Sequence, residues 1–571
     1  AFDRLGGLTY TFPNAKSLRD GTPRMITFLS DLSAPSPFST GQGPRHAKQV
    51  SYLSYLQIAS QLSLRVKATY GVRHDYFGSV RERDNRAVLV DPQTGVFLPA
   101  GTGFYASRKN NFQPRFGIDF SSNPKETDIF KLHAGIGIYS GVPKLGDLLI
   151  PIDSDRFSTG INGGAYPTNP ADIIKFFTDN PDTRQFQPLV FARNFRIPER
   201  AYKWESSVTR TRKGFDFTVL YTGNVGRNLP LAGIANQIIR VDTNPDPTQP
   251  AIVIRQFDIV RNGQVFKPFG EFFLRNSDGR SNYNGLTLQL KRNTKSKPNA
   301  DLPAWLKLAD LNVQYTLSRN VGNVSGAVIS DPLNLNSDFG YNTSDARHSF
   351  KLSGVYNLWE QLGRPRDSLL WGWRIAPSIV ASSGLPLIVR LDRPDVVYVD
   401  GGGLFFSMPA VGRRAVINVP GGGAAGGTRT PNLIPGIPPY LHSGINLLNP
   451  QAFAIPSPGT IGNMRRGRLR GPASFQTDVA LTHYLFYKEK TSAELKIEVF
   501  NIFNRANFNN PNVSLPSALG TEANQVQPNT PFTSIAAGAF GIISAADPGR
   551  QFQFSLTLRL GGSFVKEPGQ N

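Results

Sequence analysis

Leu62-Ser63-Leu64-Arg65-Val66-Lys67-Ala68-Thr69-Tyr70-Gly71-Val72-Arg73 is the stretch from which the fold can be read. Leu62, Leu64, Val66, Ala68, Tyr70 and Val72 fall on one side of an extended chain. Ser63, Arg65, Lys67, Thr69 and Arg73 fall on the other. The same period of two returns at the far end, where Phe552, Phe554, Leu556, Leu558 and Leu560 alternate with Gln551, Gln553, Ser555, Thr557 and Arg559. Between them lie Phe116/Ile118/Phe120, Leu132/Ala134/Ile136/Ile138, Leu286/Leu288/Leu290, Leu311/Val313/Tyr315/Leu317, Phe475/Val479/Leu481 and Leu495/Ile497/Val499. Each of these segments is interleaved with polar residues, so each strand has one wet and one apolar face.

Alternation alone also suits a soluble sandwich. These segments, however, run about 9–12 residues, where soluble strands average about 5–6 and a tilted membrane-crossing strand needs about 9–11. The connections alternate in length too. Short links are expected at Ser60–Gln61, Ser122–Ile129, Arg212–Gly214, Asn293–Leu308, Trp359–Leu369 and Leu485–Thr491. Long ones are expected at Phe77–Phe112, Gly141–Ile197, Val225–Ser281, Val321–Asp345, Ser383–Pro472 and Arg505–Gly549. Short turns on one rim and long loops on the other are the pattern of outer-membrane barrels. The expected fold is therefore all-β, an antiparallel transmembrane barrel with about 14 strands from Pro23–Leu29 onward and a fifteenth at Leu8–Phe12.

Composition agrees. The 571 residues include 55 Gly, 44 Pro, 39 Phe and 18 Tyr, with no Cys and 3 Met, a mixture too turn-rich for a helical bundle and too aromatic for disorder. No apolar run reaches the roughly 18 residues of a membrane helix. The net charge of +21 suggests an anionic partner. The cations are scattered through strands rather than clustered in tracts, which argues against nucleic acid.

Local motifs offer no catalytic chemistry. The six histidines (His46, His74, His133, His348, His442, His483) are never at metal-ligand spacing in sequence, and the Gly421–Gly427 run lacks the Lys and Ser/Thr of a phosphate cradle. Asp242–Asp246 begins like a calcium loop, but Pro247 stands where the sharp turn needs Gly. An Asx/Pro turn is the expectation there. If the apolar faces meet lipid, Arg65, Lys67, Arg73, Arg115, Lys131, Lys291, Asp478, Glu494, Lys496 and Glu498 line the lumen, as does His133. They then guide a solute, hold a plug, or form a hydrated wall of compensating charges. No catalytic, cofactor or metal site is expected.

Several segments resemble one family. Ser281-Asn282-Tyr283-Asn284-Gly285-Leu286, Tyr315-Thr316-Leu317-Ser318-Arg319 and Asp345-Ala346-Arg347-His348-Ser349-Phe350-Lys351-Leu352-Ser353-Gly354 appear in that order. Ser383-Gly384-Leu385-Pro386, Asn449-Pro450-Gln451-Ala452-Phe453, Phe500–Phe508 and Phe540–Gln551 follow. Together they resemble the barrel of Oar-like TonB-dependent outer-membrane transporters over roughly Tyr52–Leu560. The resemblance implies an outer-membrane location in a Gram-negative bacterium, surrounded by lipid and lipopolysaccharide, and insertion by the barrel assembly machinery. It further implies an unidentified ligand on the outer loops and energy from the TonB complex acting through a plug. Members carry a plug and an N-terminal domain ahead of a barrel of about 22 strands. Nothing here matches those segments, so the expectation is the C-terminal part of such a barrel. Residues 1–48 would begin the fragment, 49–560 carry strands and extracellular loops, and 561–571 form a tail past the last strand. A passive porin-like channel or structural surface barrel, and a secreted all-β adhesin or glycan-binding protein, are the other readings.

Two structural expectations follow. The apolar residues Leu62, Leu64, Val66, Phe552, Phe554, Leu556 and Leu558 point outward, and Arg65, Lys67, Gln553 and Thr557 point inward. The last strand either leaves an open sheet or closes onto Pro23–Leu29 or Leu8–Phe12.

Overall fold

The computed structural model describes residues 7–560 apart from 13–14, 23–24, 30–35, 42–43, 123–128, 142–143, 155–157, 163–165, 168, 170–171, 173–174, 176–185, 263, 293–308, 325–330, 332–333, 358–371, 392, 401–402, 406–410, 420–428, 489–490 and 516–526. The tail 561–571, the Gly421–Gly427 run and the interiors of four short links (123–128, 293–308, 358–371 and 489–490) lie outside the described residues.

Thirteen strands form one antiparallel path: β1 (Ser51–Gln61), β2 (Val66–Phe77), β3 (Phe112–Ser121), β4 (Ile129–Ser140), β5 (Arg200–Arg212), β6 (Phe215–Ala235), β7 (Phe272–Arg292), β8 (Ala309–Gly322), β9 (His348–Asn357), β10 (Trp373–Ser382), β11 (Ser474–Lys488), β12 (Thr491–Phe500) and β13 (Gln551–Leu560). Each pairs with its neighbours in sequence, so this is an up-and-down meander. Its turns alternate between short and long, as expected. Between β5 and β6 the turn is two residues, Lys213–Gly214, and both have positive φ (53° and 80°). That conformation matches the right-handed twist of a two-residue hairpin, and glycine adopts it without strain.

Register places the two faces. From β2 to β4, Thr69 faces Gly117 and Gly117 faces Gly135, while Tyr70 faces Phe116 and Phe116 faces Ile136. The polar row continues through Glu205, Thr222 and Gly285 to Ser318. The apolar row is the exposed one, with Ile136 61%, Phe554 68%, Leu556 58% and Tyr70 43% accessible. A soluble protein would bury that stripe; lipid is its solvent here. The hydrophobic clusters lie elsewhere, in the long connections, the segment before β1 and the strand ends that adjoin them. One gathers Leu387, Val397, Phe453, Leu515 and Phe540, a second Phe77, Val80, Phe104, Leu148 and Phe195, and a third Phe38, Val90, Phe186 and Phe272. The loops thus form a packed cap on one rim.

Three details differ from the sequence reading, and a fourth decides between the two outcomes it left open. First, β1 runs through Ser60 and Gln61, and the turn is 62–65. Ser63 Oγ accepts the Arg65 and Val66 N–H groups, and the Gln61 side-chain amide donates to Ser63 O. A side chain that caps the backbone locally ends the strand although the alternation continues. Leu62 and Leu64 are exposed, but in this turn. Second, β6 and β7 are each 21 residues long, so they run on through much of the expected 225–281 loop. Register shifts at Gly226–Leu231 bend the extension, and its apolar Leu231, Ile234 and Phe272 are buried in the cap. A parallel strand, Leu189–Phe191, pairs with it there. Third, Gly7–Thr11 and Met25–Leu29 are strands outside the thirteen-strand path; with Ser158–Asn162 they make a separate three-stranded sheet. At five residues each they are too short to cross hydrocarbon, and the loop strand takes the second edge of Met25–Leu29. Fourth, Gln551–Leu560 accordingly pairs with β12 alone among the described residues, so the sheet is open between β13 and β1.

Candidate functional site

The polar face of β1–β7 encloses a cavity of ≈ 700 Å³ to which Tyr55, Arg73, Arg115, His133, Lys203, Asn224 and Tyr283 each contribute from a different strand. Seven consecutive strands can share one hollow only if that face is concave, which puts the polar side inside. Glycines make the room. Gly117 has nothing closer than 3.9 Å to an added Cβ, and Gly137 lies beside Arg115 and Tyr139, each 3.1 Å from where its Cβ would stand.

Three groups each bring a lining residue to the hollow: Arg73, then Arg115, Tyr139 and Lys203, then His133 and Glu205. At the loop end, Arg73 Nε donates to Asp75 (2.7 Å), and the buried Asp75 also accepts from Gln113 Nε2 (2.6 Å) and Ser140 Oγ (2.8 Å). Along the wall, the Arg115 guanidinium and Lys203 ammonium sit 4.3 Å and 5.2 Å from the Tyr139 ring centre. Cations on an aromatic face are held without a carboxylate. Toward the turn end, His133 lies between Asp119 (2.7 Å) and Glu205 (3.2 Å). Register brings these three together: Asp119 faces His133 across β3–β4, and Glu205, which faces Gly135, is the diagonal neighbour of His133 on the same polar face of β5. The result is a wall of mixed charge and aromatic faces suited to a polar solute.

The residues anticipated from sequence divide into separate places. Arg73 and Arg115 line the main cavity. Lys67 and Lys131 line a second hollow of ≈ 340 Å³ near the turns; Arg65 joins them from the turn itself, so its placement on a strand is corrected. Lys291 stands between Asp216 and Asn312 on neighbouring strands, away from both hollows. Glu494, Lys496, Glu498 and Asp478 lie on β11 and β12. There Lys496 pairs with Glu498 at 2.6 Å and Arg374 with Glu494 at 3.9 Å, while Asp478 accepts from Gln476 and the Asn501 N–H. Those four form compensated contacts. Sequence reasoning did not single out Asp119, Lys203 and Glu205, although each has the parity of its strand's wet face, in Gly117-Ile118-Asp119 and Lys203-Trp204-Glu205.

His46, Glu82 and Asp84 have the ligand types of a metal site and lie close together in the cap. Their donors are engaged. Glu82 accepts the N–H groups of His46, Asp84 and Arg86, and Arg83 chelates Asp84 while standing 3.2 Å from His46 Nδ1. The Arg83 hydrogen bond holds the Asp84 carboxyl below its ordinary range. This is a clasp between loops, with a guanidinium where a cation would sit. Asp242–Asp246 likewise forms turns, Asn244 Oδ1 accepting from Asp246 N and Asp246 Oδ1 from Thr248 N.

No curated protein matches the chain in sequence. Among solved structures it is similar to the ferric-catecholate import receptor Fiu from K12 E. coli (closed form), with 9% identity over 97% of this chain and 53% of that one, TM-score 0.36. It is also similar to the ferric citrate transporter FecA in its unliganded form (10% identity, 94% and 50% covered, TM-score 0.39). A third is the siderophore receptor PirA from Acinetobacter baumannii (10% identity, 93% and 50% covered, TM-score 0.39). The chain spans about half the length of these proteins. The family described as outer membrane beta barrel domain matches residues 3–553. No helix among the described residues is long and apolar enough to cross a membrane, and the crossing elements are strands. With its lipid-facing stripe exposed and its polar face hollow, the chain belongs to the outer membrane β-barrel domain family and resides in the Gram-negative outer membrane.

Proposed function

We propose that this chain is the barrel of an Oar-like TonB-dependent transporter that takes up a ligand across the outer membrane. The observation that carries the reading is the cap. Long connections on one rim pack into three hydrophobic clusters, and the polar face of the strands beside them holds a cavity. A simple pore gains nothing from an ordered roof, whereas a receptor needs rigid loops to present a ligand surface. The ordered motifs from Ser281 to Gln551 support the Oar-like assignment, and 49–560 is the barrel domain in this reading. Ligand would bind at the cap and pass to the mixed-charge wall at Arg115, Tyr139, Lys203 and His133. Coupling to TonB would run through the plug that Oar-like transporters carry.

The test uses the product of the complete gene, purified from outer membranes. In planar bilayers a plugged transporter is silent, and its plug region cross-links to the periplasmic domain of TonB. Steady open-channel conductance without a TonB cross-link would replace this reading with a passive porin.

A further inference from the structure

The end of β5 nearest the loops carries a second feature, on the opposite face from the cavity. Arg200, Tyr202, Val225 and Arg227, with Arg108 and Arg196 from the cap, line a hollow of ≈ 500 Å³. Register places Arg200 directly across from Arg227 and Tyr202 across from Val225. By the alternation of β5 and β6 these four share the face of Trp204, Val208, Phe217 and Tyr221, which is the lipid side.

Height can be worked from the strand. β5 has thirteen residues from the turn at Arg212 to Arg200. At about 3.3 Å per residue and a tilt of about 40°, Arg200 stands about 30 Å above the turn rim, just past an apolar band about 25 Å tall. Below it come Tyr202 and Trp204, where interfacial aromatics belong.

Four guanidinium groups converge here without a carboxylate. Among the described residues none of Arg108, Arg196, Arg200 and Arg227 forms an ion pair with Asp or Glu. Arg200 Nε is buried with no hydrogen-bond partner, while its Nη2 donates to Asn110 O and Asn111 Oδ1. Arg227 Nη1 donates to Gly226 O (2.8 Å) and, more weakly, to Asn282 Oδ1 (3.4 Å). Burial, and then the charges of Arg200 and Arg196, push the Arg108 guanidinium below its ordinary range. Like charges directly opposite on adjacent strands destabilise a ladder unless an anion lies between them.

We infer that Arg108, Arg196, Arg200 and Arg227 form a binding site for the phosphate of a lipid A headgroup in the outer leaflet. Arginine presents planar forks of N–H donors that match phosphate oxygens, and four of them neutralise a phosphate's charge where water is scarce. The acyl chains would then run down the stripe of Tyr202, Trp204 and Val208. The site rests on the outer-membrane location and not on the transport reading, and its test involves no transport.

The experiment is native mass spectrometry of protein extracted from outer membranes in mild detergent, titrated with diphosphoryl lipid A. Migration of unheated samples on gels reports folding. Arg200→Gln/Arg227→Gln removes the pair on the ladder; Arg108→Gln/Arg196→Gln removes the pair from the loops and leaves the strands untouched. Loss of two charge-assisted contacts is expected to weaken lipid A binding about tenfold or more in each variant. Millimolar inorganic phosphate should not displace the lipid. If the ladder pair fails to fold, the loop pair decides. Unchanged lipid A binding in a folded loop-pair variant overturns the site. Displacement of lipid A by inorganic phosphate would make it a free-anion site and overturn the lipid assignment.

Discussion

Removing the Arg470 side chain should loosen the cap by about two decades in its opening equilibrium. Asp345, at the end of the connection from β8 to β9, has a carboxylate with 0% exposure, and Arg470 has 26%. The pair is made through Arg470 Nη2, while Nη1 donates to Asp345 O (2.8 Å) and Gly384 O (3.0 Å). The guanidinium also lies 5.2 Å from the Tyr341 ring centre. Deleting one partner of a buried ion pair costs about 3–5 kcal/mol. Because Arg470 is partly solvated and the Asn320 N–H still bonds Asp345, the low end applies, about 3 kcal/mol. That corresponds to a factor of about 150 in the population of the open form. Proteolysis in the limit of fast reclosing reads this population directly, as the cleavage rate within residues 383–473. Asp345→Asn keeps an acceptor for Asn320 and should cost less. The double variant Asp345→Asn/Arg470→Gln should cost less than the sum of its singles, since neither charge is then left unpaired. An Arg470→Ala cleavage rate within about threefold of the parent, or strict additivity in the double variant, would refute the lock.

Three further outcomes follow from the structure. Phe554→Arg on the lipid face should destabilise the barrel by about 2–4 kcal/mol in denaturant unfolding in detergent, while Ser555→Arg on the polar face should shift it little; equal effects would contradict the sidedness. Asp91 is pushed up by burial, but its bond to Arg193 and the N–H groups of Gln93 and Thr94 outweigh this and leave it below its ordinary range. A carboxyl depressed in the folded state stabilises above its ordinary value near 4 and loses that contribution as pH falls through its folded value. The tie between the 78–111 and 141–199 loops should therefore weaken only below about pH 4, with Arg193→Ala reducing the pH dependence of loop hydrogen exchange to the part that the Gln93 and Thr94 N–H bonds supply. Protease added to intact cells should cleave within 383–473 and spare Lys213–Gly214; cleavage seen only in spheroplasts would reverse the orientation.

The strands were legible because period two is a local property: Phe552–Leu560 shows its two faces without any knowledge of its neighbours. The cap was not. Leu387, Phe453, Leu515 and Phe540 stand among Gly, Pro and Asn with no period, and only tertiary contact makes them a core. The Leu62–Arg73 alternation overran its turn because the signal there was a single Ser63 hydroxyl. At the site, wet-face residues could be read from parity, but their grouping depends on register. Asp119, His133 and Glu205 meet only because β3, β4 and β5 are aligned as they are. The recurrent motifs proved to mark joints. Arg319, Arg347 and Arg470 all lie within 6 Å of the Tyr341 ring centre, and Asp345 and Gly384 accept from Arg470. Resemblance based on such segments identifies an architecture and leaves the ligand open.

The division of apolar residues between lipid-facing stripes and cap clusters constrains the order of assembly. A loop reaches the outer surface only by threading past the membrane as loose chain, and a collapsed globule would jam. Each cluster here draws on more than one connection: Phe104 needs Phe195, Val90 needs Phe186 and Phe38, Phe453 needs Phe540. The 383–473 connection supplies most of the first cluster, but Leu515, Phe532, Ala537 and Phe540 complete it from the connection before β13, so full condensation waits until that hairpin has arrived. On this division the complete roof is expected to be the last part of the fold to close.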